Sequence, residues 1–438
     1  MMNKIVKKVL LASIIVTEIG CSGTVSQQNR KLANEILNDS SFQLVDSMGR
    51  SILARGLNAG SGYSQVWARD LNTFIETACE VTDPQDIRNA LLIFFQLQQP
   101  NDEMIDGYVL KGEFNWDDPT PYYSELAPEH VAFKNTVETD QETSLIQAVA
   151  KYVRKTGDNS ILKERIGEYT VYERMERMID FLMKEKFSEK YGLLTGALTA
   201  DWGDVQNDST NIVDITENST ITIDIYDQAM FILALNGMAE MSENVEHTNR
   251  WVALSKQVAD STRKHLWDTD REKFIPHIYL GKNPIPEGFN ELDVHYHGGT
   301  AIAIEAGLLT KEEISVVNKQ MLENVRLSGM PSIGLTLYPT YPEGFFIGGM
   351  SKPYIYQNGG DWTWFGGRMI QQLIANGYVA EAYDEIRPMI DRVIKNNGFF
   401  EWYGQGGVPS GSGHFKGSAG VLCKAIEMFN DWAKENKK

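Results

Sequence analysis

Along most of this chain the apolar residues recur at the three-to-four spacing of an amphipathic helix. In ETSLIQAVAKYVRKTGD, Leu145, Ile146, Val149, Tyr152 and Val153 share one stripe, and Gly157 supplies a stop. TIDIYDQAMFILALNGMAEM is more apolar still and predicts a buried inner helix. WFGGRMIQQLIANG and GSAGVLCKAIEMFNDWAKENKK repeat the theme. No stretch alternates strictly for long, and no βαβ units follow one another. LLTGALTADWGD and KFIPHIYLG have room for short hairpins at most.

Between the helices run six long loops rich in Gly, Pro, Asn and aromatics: 56–72, 101–136, 192–222, 281–300, 328–366 and 398–418. Helical proteins usually connect their helices briefly, and long ordered loops on a helical scaffold tend to carry function. Six of them, separated by helix pairs, predict a closed ring of helical hairpins with its site at one end. No solenoid-type repeat and no shift in composition marks a boundary, so residues 31–438 are expected to form a single domain.

Composition narrows the partners. The chain has 438 residues, 42% of them hydrophobic, and a formal net charge of −18. No Lys/Arg-rich block lies beyond the first few residues, so phosphate-rich nucleic acid is excluded and a polyanionic substrate disfavoured. A neutral substrate fits better. The opening MMNKIVKKVLLASIIVTEIGCSG joins lysines to a short apolar run, which predicts a secretory signal over residues 1–20, too short to span a membrane. EIGC resembles the lipobox of bacterial lipoproteins, with Cys21 as the lipidated residue and Glu18 where an apolar residue is usual. Residues 21–30 then read as a polar tether, and the protein is expected to be exported, anchored to the bacterial envelope by its lipid alone, and monomeric. Cys79 and Cys423 sit in apolar-periodic segments and are expected as free thiols.

The loops carry a recurrent pairing of carboxylate and tryptophan. SGYSQVWARD holds Tyr63, Trp67, Arg69 and Asp70; LTADWGDVQND holds Asp201, Trp202, Asp204 and Gln206; YQNGGDWTW holds Gln357, Asn358, Asp361 and Trp362; NNGFFEWYGQGG holds Glu401, Trp402 and Tyr403. Aromatic faces stack on sugar rings, while acids, amides and arginine bond the hydroxyls, so this is the composition of a pocket for an uncharged sugar. Cutting a glycosidic bond takes two carboxyls, one protonated and one ionised, and a tryptophan neighbour helps hold an acid protonated. Asp201, Asp204, Asp361 and Glu401 have suitable neighbours. Asp361 also reads as a cap for the helix that follows. His295 and His297, with Asp293, lack a third metal ligand and are expected as a histidine pair in the sugar cleft. Trp267 is expected to pack. No metal and no organic cofactor is implied.

Six segments resemble, in order, motifs of the glycogen debranching enzymes (their amylo-α-1,6-glucosidase part) and, more loosely, of glucoamylases. VWARDLNTF is similar to W-x-R-D. TVETDQETSLIQAVAKYVRKTGD resembles an acidic loop opening an inner helix. LTADWGD resembles L-T-W-M-D; IGLTLYPTYPEGFFIGG and then YIYQNGGDWTW are similar to G-L-R-T-L…P-x-Y…G and Y-H-N-G-T-V-W-P-W. GFFEWYGQ and GSGHFKGSAGVL resemble P-E-L-F-x-G and Q-x-W-S-A-G-A-x-L. The resemblance implies an all-α, (α/α)6 six-hairpin toroid and an inverting glycoside hydrolase. It makes Arg69 and Asp70 the pair that grips the terminal sugar, Asp204 the general acid and Glu401 the general base. Asp201 stands second as acid. Gln357 and Thr363 replace the family's His and Pro. Tyr63, Trp67, Trp202, Gln357, Asn358, Asp361, Trp362 and Trp402 are expected to contact substrate, an α-linked glucoside or related oligosaccharide. Two rivals remain: another hydrolase or a lyase on the same ring, and a surface lipoprotein that binds glycans without cutting them.

Overall fold

The computed structural model describes residues 26–114 and 121–437. The expected export signal and Cys21 lie outside them. The chain divides into two compact units. Of the described residues, the smaller holds 26–39 and 430–437. Its helix α1 (Gln27–Leu37) begins inside the segment expected as a tether, with Ser26 Oγ accepting from the Asn29 N–H at 3.0 Å.

The larger unit, residues 40–429, holds the ring. Its helices run α2 (Ser40–Leu53), α3 (Ala68–Val81), α4 (Pro84–Gln96), α5 (Gln141–Thr156), α6 (Val171–Glu185), α7 (Ile225–Met241), α8 (Val245–Leu266), α9 (His297–Glu305), α10 (Lys311–Ser328), α11 (Thr363–Ala375), α12 (Val379–Glu385), α13 (Arg387–Asn396) and α14 (Lys416–Asn436), the last of which crosses into the smaller unit. Capping boxes start two outer helices, Thr170 with Glu173 on α6 and Thr310 with Glu313 on α10. Gly157 ends α5 in the left-handed conformation, as its position in the sequence predicts.

The inner helices pack in sequence, α3 on α5, α5 on α7, α7 on α9 and α9 on α11. Glycine closes the circle. A Cβ at Gly367 of α11 would stand 2.5 Å from Val421 of α14, and one at Gly420 of α14 would stand 2.5 Å from Phe74 of α3. Only a residue without Cβ lets these backbones approach so closely. Six hairpins result, each an outer helix followed by an inner one, as expected. Buried on nearly all sides, α7 and α9 show no polar face, while α5 is buried over most of its length and exposes Arg154 and Lys155 near its end.

Four inner helices, α3, α9, α11 and α14, begin earlier than the loop boundaries suggest. Trp67, Tyr296 and Trp362 precede α3, α9 and α11 without any side-chain cap, so the usual start signal is missing. The strands form small two- and three-stranded sheets. The expected short hairpins are there, with strands at Leu193–Leu194, Gly196–Ala197, Lys273–Phe274 and Ile278–Tyr279. Two pairs matter for the site: Gly107–Leu110 on His130–Phe133, and Phe400–Tyr403 on Pro409–Gly413.

Candidate active site

The loops that lead into the inner helices surround a cavity of about 450 Å³. The first loop and the start of α3 supply Tyr63, Trp67, Arg69 and Asp70; the second supplies Asp106, Phe133, Lys134, Asn135 and Glu138; the third supplies Trp202, Asp204, Val205, Ile212 and Val213. The fifth brings Tyr356 and Trp362, and the sixth brings Glu401 and Phe415. The fourth loop contributes no lining residue. Third and sixth loops feed α7 and α14, half a ring apart, so the two carboxyls matched to acid and base reach the cavity from opposite sides.

Asp204 is held from several directions. Its backbone N–H donates to Gln357 Oε1 at 3.3 Å, and its carbonyl accepts from Asn135 Nδ2 at 2.6 Å. The Tyr356 hydroxyl donates to Oδ2 at 3.1 Å, while Oδ1 is buried without a partner. Burial pushes the carboxyl up from the ordinary aspartate range, outweighing Arg69 and the Tyr356 hydrogen bond, which favour the charged form. That is the direction a proton donor needs.

Glu401 lies on the Phe400–Tyr403 strand, 4% exposed. Its Oε2 accepts from the Ser412 N–H at 2.7 Å, and Tyr63 donates to the carboxylate at 3.0 Å. Gly411, at φ +69, leaves room for it, since a Cβ there would meet Oε2 at 2.4 Å. Burial raises its pKa, and Asp204 adds repulsion against the pull of Ser412 and Tyr63. Losing a donor to the ionised form raises a carboxyl's pKa further. A base works only while ionised, so Tyr63→Phe is expected to move the acid limb of the pH–rate profile to higher pH; an unmoved limb counts against Glu401 as the titrating base.

Arg69 does not pair with Asp70. Its Nε and Nη2 grip Asp140 at 2.6 and 2.8 Å, and Nη2 also reaches Glu138 at 2.8 Å. Tyr226 donates to Asp140 at 2.7 Å. Against the cost of burial, Arg69 and Tyr226 hold Asp140 below the usual carboxylate range. Asp70 is pushed up to about 7 by burial and then by Glu401. Both residues line the cavity, as expected.

The aromatic wall centres on Trp202, whose ring meets Trp362 at 4.7 Å, Phe365 at 4.7 Å and Trp364 at 5.0 Å. Trp67 packs against Phe133 at 6.0 Å. Trp402 is not part of the lining; it stands behind Tyr356, ring to ring at 6.2 Å.

Four more expected contacts turn out to be supports. Asp201 is buried outside the cavity lining, its carboxylate accepting from the Gly299 N–H at 2.9 and 3.1 Å in the first turn of α9. Burial pushes it up to about 8, and its hydrogen bonds tie the third loop to α9. Asn358 bonds the backbone of Tyr341 at 2.9 and 3.2 Å and shapes the fifth loop. Gln357 is wholly buried and acts on Asp204 from behind. Asp361, also fully buried, neither caps α11 nor meets the cavity; it pairs with Arg392 at 2.8 Å and accepts from Ser332 at 2.8 Å. Removing one partner of a buried pair strands the other charge, so Arg392→Met is expected to cost about 3–5 kcal/mol of folding free energy. Denaturant unfolding checks this; a loss under 1 kcal/mol, roughly the worth of an exposed pair, rules the support role out.

His295 and His297 are not in the cleft. His295 belongs to a strand paired with Tyr338, and His297 opens α9, buried with Nε2 3.0 Å from Asn324 Nδ2. Burial pushes them down to about 4 and about 3. Among the described residues no group of three or more His, Cys, Asp or Glu side chains could hold a metal. Trp267 packs on Phe274 at 5.0 Å, and Cys79 and Cys423 are free, as expected. The sequence reading gave no role to Tyr356, Asp106, Phe133 or Trp364. Glu138 and Asp140 lay inside a quoted segment, but only the fold shows that Arg69 reaches them.

A six-hairpin helical ring with paired carboxyls and edge-to-face tryptophans in one end cavity defines a six-hairpin glycosidase. The chain belongs to the glycosyl hydrolase 94 superfamily: residues 24–341 match its catalytic-domain model, which includes Asp204 but ends before Glu401. No curated protein matches the chain. Among solved structures it is similar to GH63 mannosylglycerate hydrolase from Thermus thermophilus. In complex with Tris and D-glycerate, that enzyme is 13% identical over 86% of this chain and 99% of its own, with a TM-score of 0.63. Its complex with glucose gives 14%, 88%, 99% and 0.62. The rhamnosidase from Klebsiella oxytoca with rhamnose bound gives 12% identity over 89% of this chain and 64% of its own, with a TM-score of 0.55. These likenesses concern the fold.

Proposed function

We propose that the protein is an inverting exo-glycosidase acting on a neutral α-linked glucosyl unit. Asp204 protonates the glycosidic oxygen, and Glu401 takes a proton from the attacking water. Arg69 and Asp70 orient the terminal ring between Trp67, Trp202 and Trp362. The observation that supports this reading is that half-buried Asp204 and buried Glu401, each accepting from a tyrosine hydroxyl and each on a loop that feeds a helix half a ring from the other's, line one cavity. Its volume, about 450 Å³, lies in the usual range for small-ligand sites, about 300–1,000 Å³. Inversion requires the two carboxyls roughly 6.5–9.5 Å apart, with room for a water between them. The α-glucosyl specificity is supported by the motif resemblance alone. On the same footing, the enzyme works as a monomer tethered to the bacterial envelope through Cys21.

The test is the anomer released. A panel of α-linked glucosyl oligosaccharides is incubated with the protein lacking residues 1–21, and the first product is followed by NMR. The β-anomer is expected from an α-linkage; first release of the α-anomer excludes inversion.

A further inference from the structure

Asp204 lies in a loop that has no helix or strand between Ala197 and Ile221, so its place in the cavity depends on what holds that loop. The fifth loop holds it from one side, through Gln357 at its N–H and Tyr356 at its carboxyl. The second loop supplies the shortest of these bonds, 2.6 Å from Asn135 Nδ2 to the Asp204 carbonyl.

Asn135 is itself fixed. Its backbone N–H donates to Asp106 Oδ2 at 2.6 Å. The Val137 N–H donates to its Oδ1 at 2.9 Å, which turns the NH2 end towards Asp204. Nδ2 also reaches Glu138 Oε1 at 3.3 Å, and the other oxygen of Glu138 accepts from Arg69 at 2.8 Å. Every polar group of the Asn135 side chain is thus engaged. Through it one short chain of hydrogen bonds runs from Arg69, at the start of α3, to the main chain of Asp204. The cavity-lining carboxyl of Asp106 gains a part in this chain as the anchor of Asn135.

We propose that Asn135 is a positioning residue, which fixes the main chain of the acid relative to Arg69. This rests on the reading of Asp204 as proton donor. Asn135→Ser, its fold checked by thermal melting, removes the amide donor, while a serine hydroxyl still accepts from the Val137 N–H and keeps the turn. On an α-linked glucosyl oligosaccharide kcat is expected to fall about 10–10²-fold, the cost of displacing a reacting group by up to about 1 Å, with KM little changed. On α-glucosyl fluoride, which leaves without a proton, the rate stays within about threefold. Asn135→Asp, which keeps the size and the acceptor, serves if the serine variant is unstable. An equal fall on both substrates overturns the proposal, as does unchanged turnover, and a rise in KM at constant kcat marks Asn135 as a substrate contact instead. Asp204→Asn run alongside separates the two readings: if it spares the fluoride and Asn135→Ser does not, the positioning role alone falls; if Asp204→Asn spares neither, the acid assignment falls first.

Discussion

Glu401→Gln is expected to lower kcat on an oligosaccharide by about 10²–10⁴-fold, the usual worth of a positioned acid–base group, with little change in affinity. The side chain keeps its size, and an amide oxygen still accepts from Ser412 and Tyr63, so the strand around it should stand as before. What disappears is the proton acceptor for water. Steady-state kinetics with calorimetric binding checks this. Turnover within a few-fold of wild type would falsify the assignment, and sugar binding with no turnover in the wild type itself would return the protein to the class of glycan binders.

Asp204→Asn should show a loss that depends on the leaving group. A sugar alcohol leaves poorly unless protonated, so on an oligosaccharide the expected fall is again about 10²–10⁴-fold. A glycosyl fluoride or a nitrophenyl glycoside leaves without a proton, and its rate should fall far less. The alkaline limb of the pH–rate profile should vanish in the variant, because the acid form of Asp204 is what sets it: burial raises this carboxyl, and activity drains away as pH rises through its pKa. If both substrate types lose equally, Asp204 holds substrate or structure and donates no proton.

The ring and the carboxyls that line its cavity were legible for a shared reason. Helical spacing survives in the sequence wherever a face is buried, and a carboxylate beside tryptophan in a long loop is locally unusual. The same local signal misled at Asp361 and Asn358, which sit among the same aromatics. Asp361's partner Arg392 is 31 residues away on α13, and nothing near Asp361 announces it. Asp201 looked like an acid because burial and tryptophan both suit one, yet its carboxylate is spent on Gly299, 98 residues on. Tyr356 went unassigned because its aim at Asp204 depends on a turn with φ +49, a backbone setting that tyrosine rarely adopts.

The glycines at Gly367 and Gly420 give the ring a circumference, and the carboxyls proposed as acid and base sit on loops that feed helices half a ring apart. Lengthening that circumference by one methyl group at Gly420, with Phe74 in the way, spreads the scaffold on which both carboxyls ride. A substitution remote from any sugar then alters the span into which a single water must fit. In this architecture the tuning of chemistry and the tightness of helix packing are one mechanical variable.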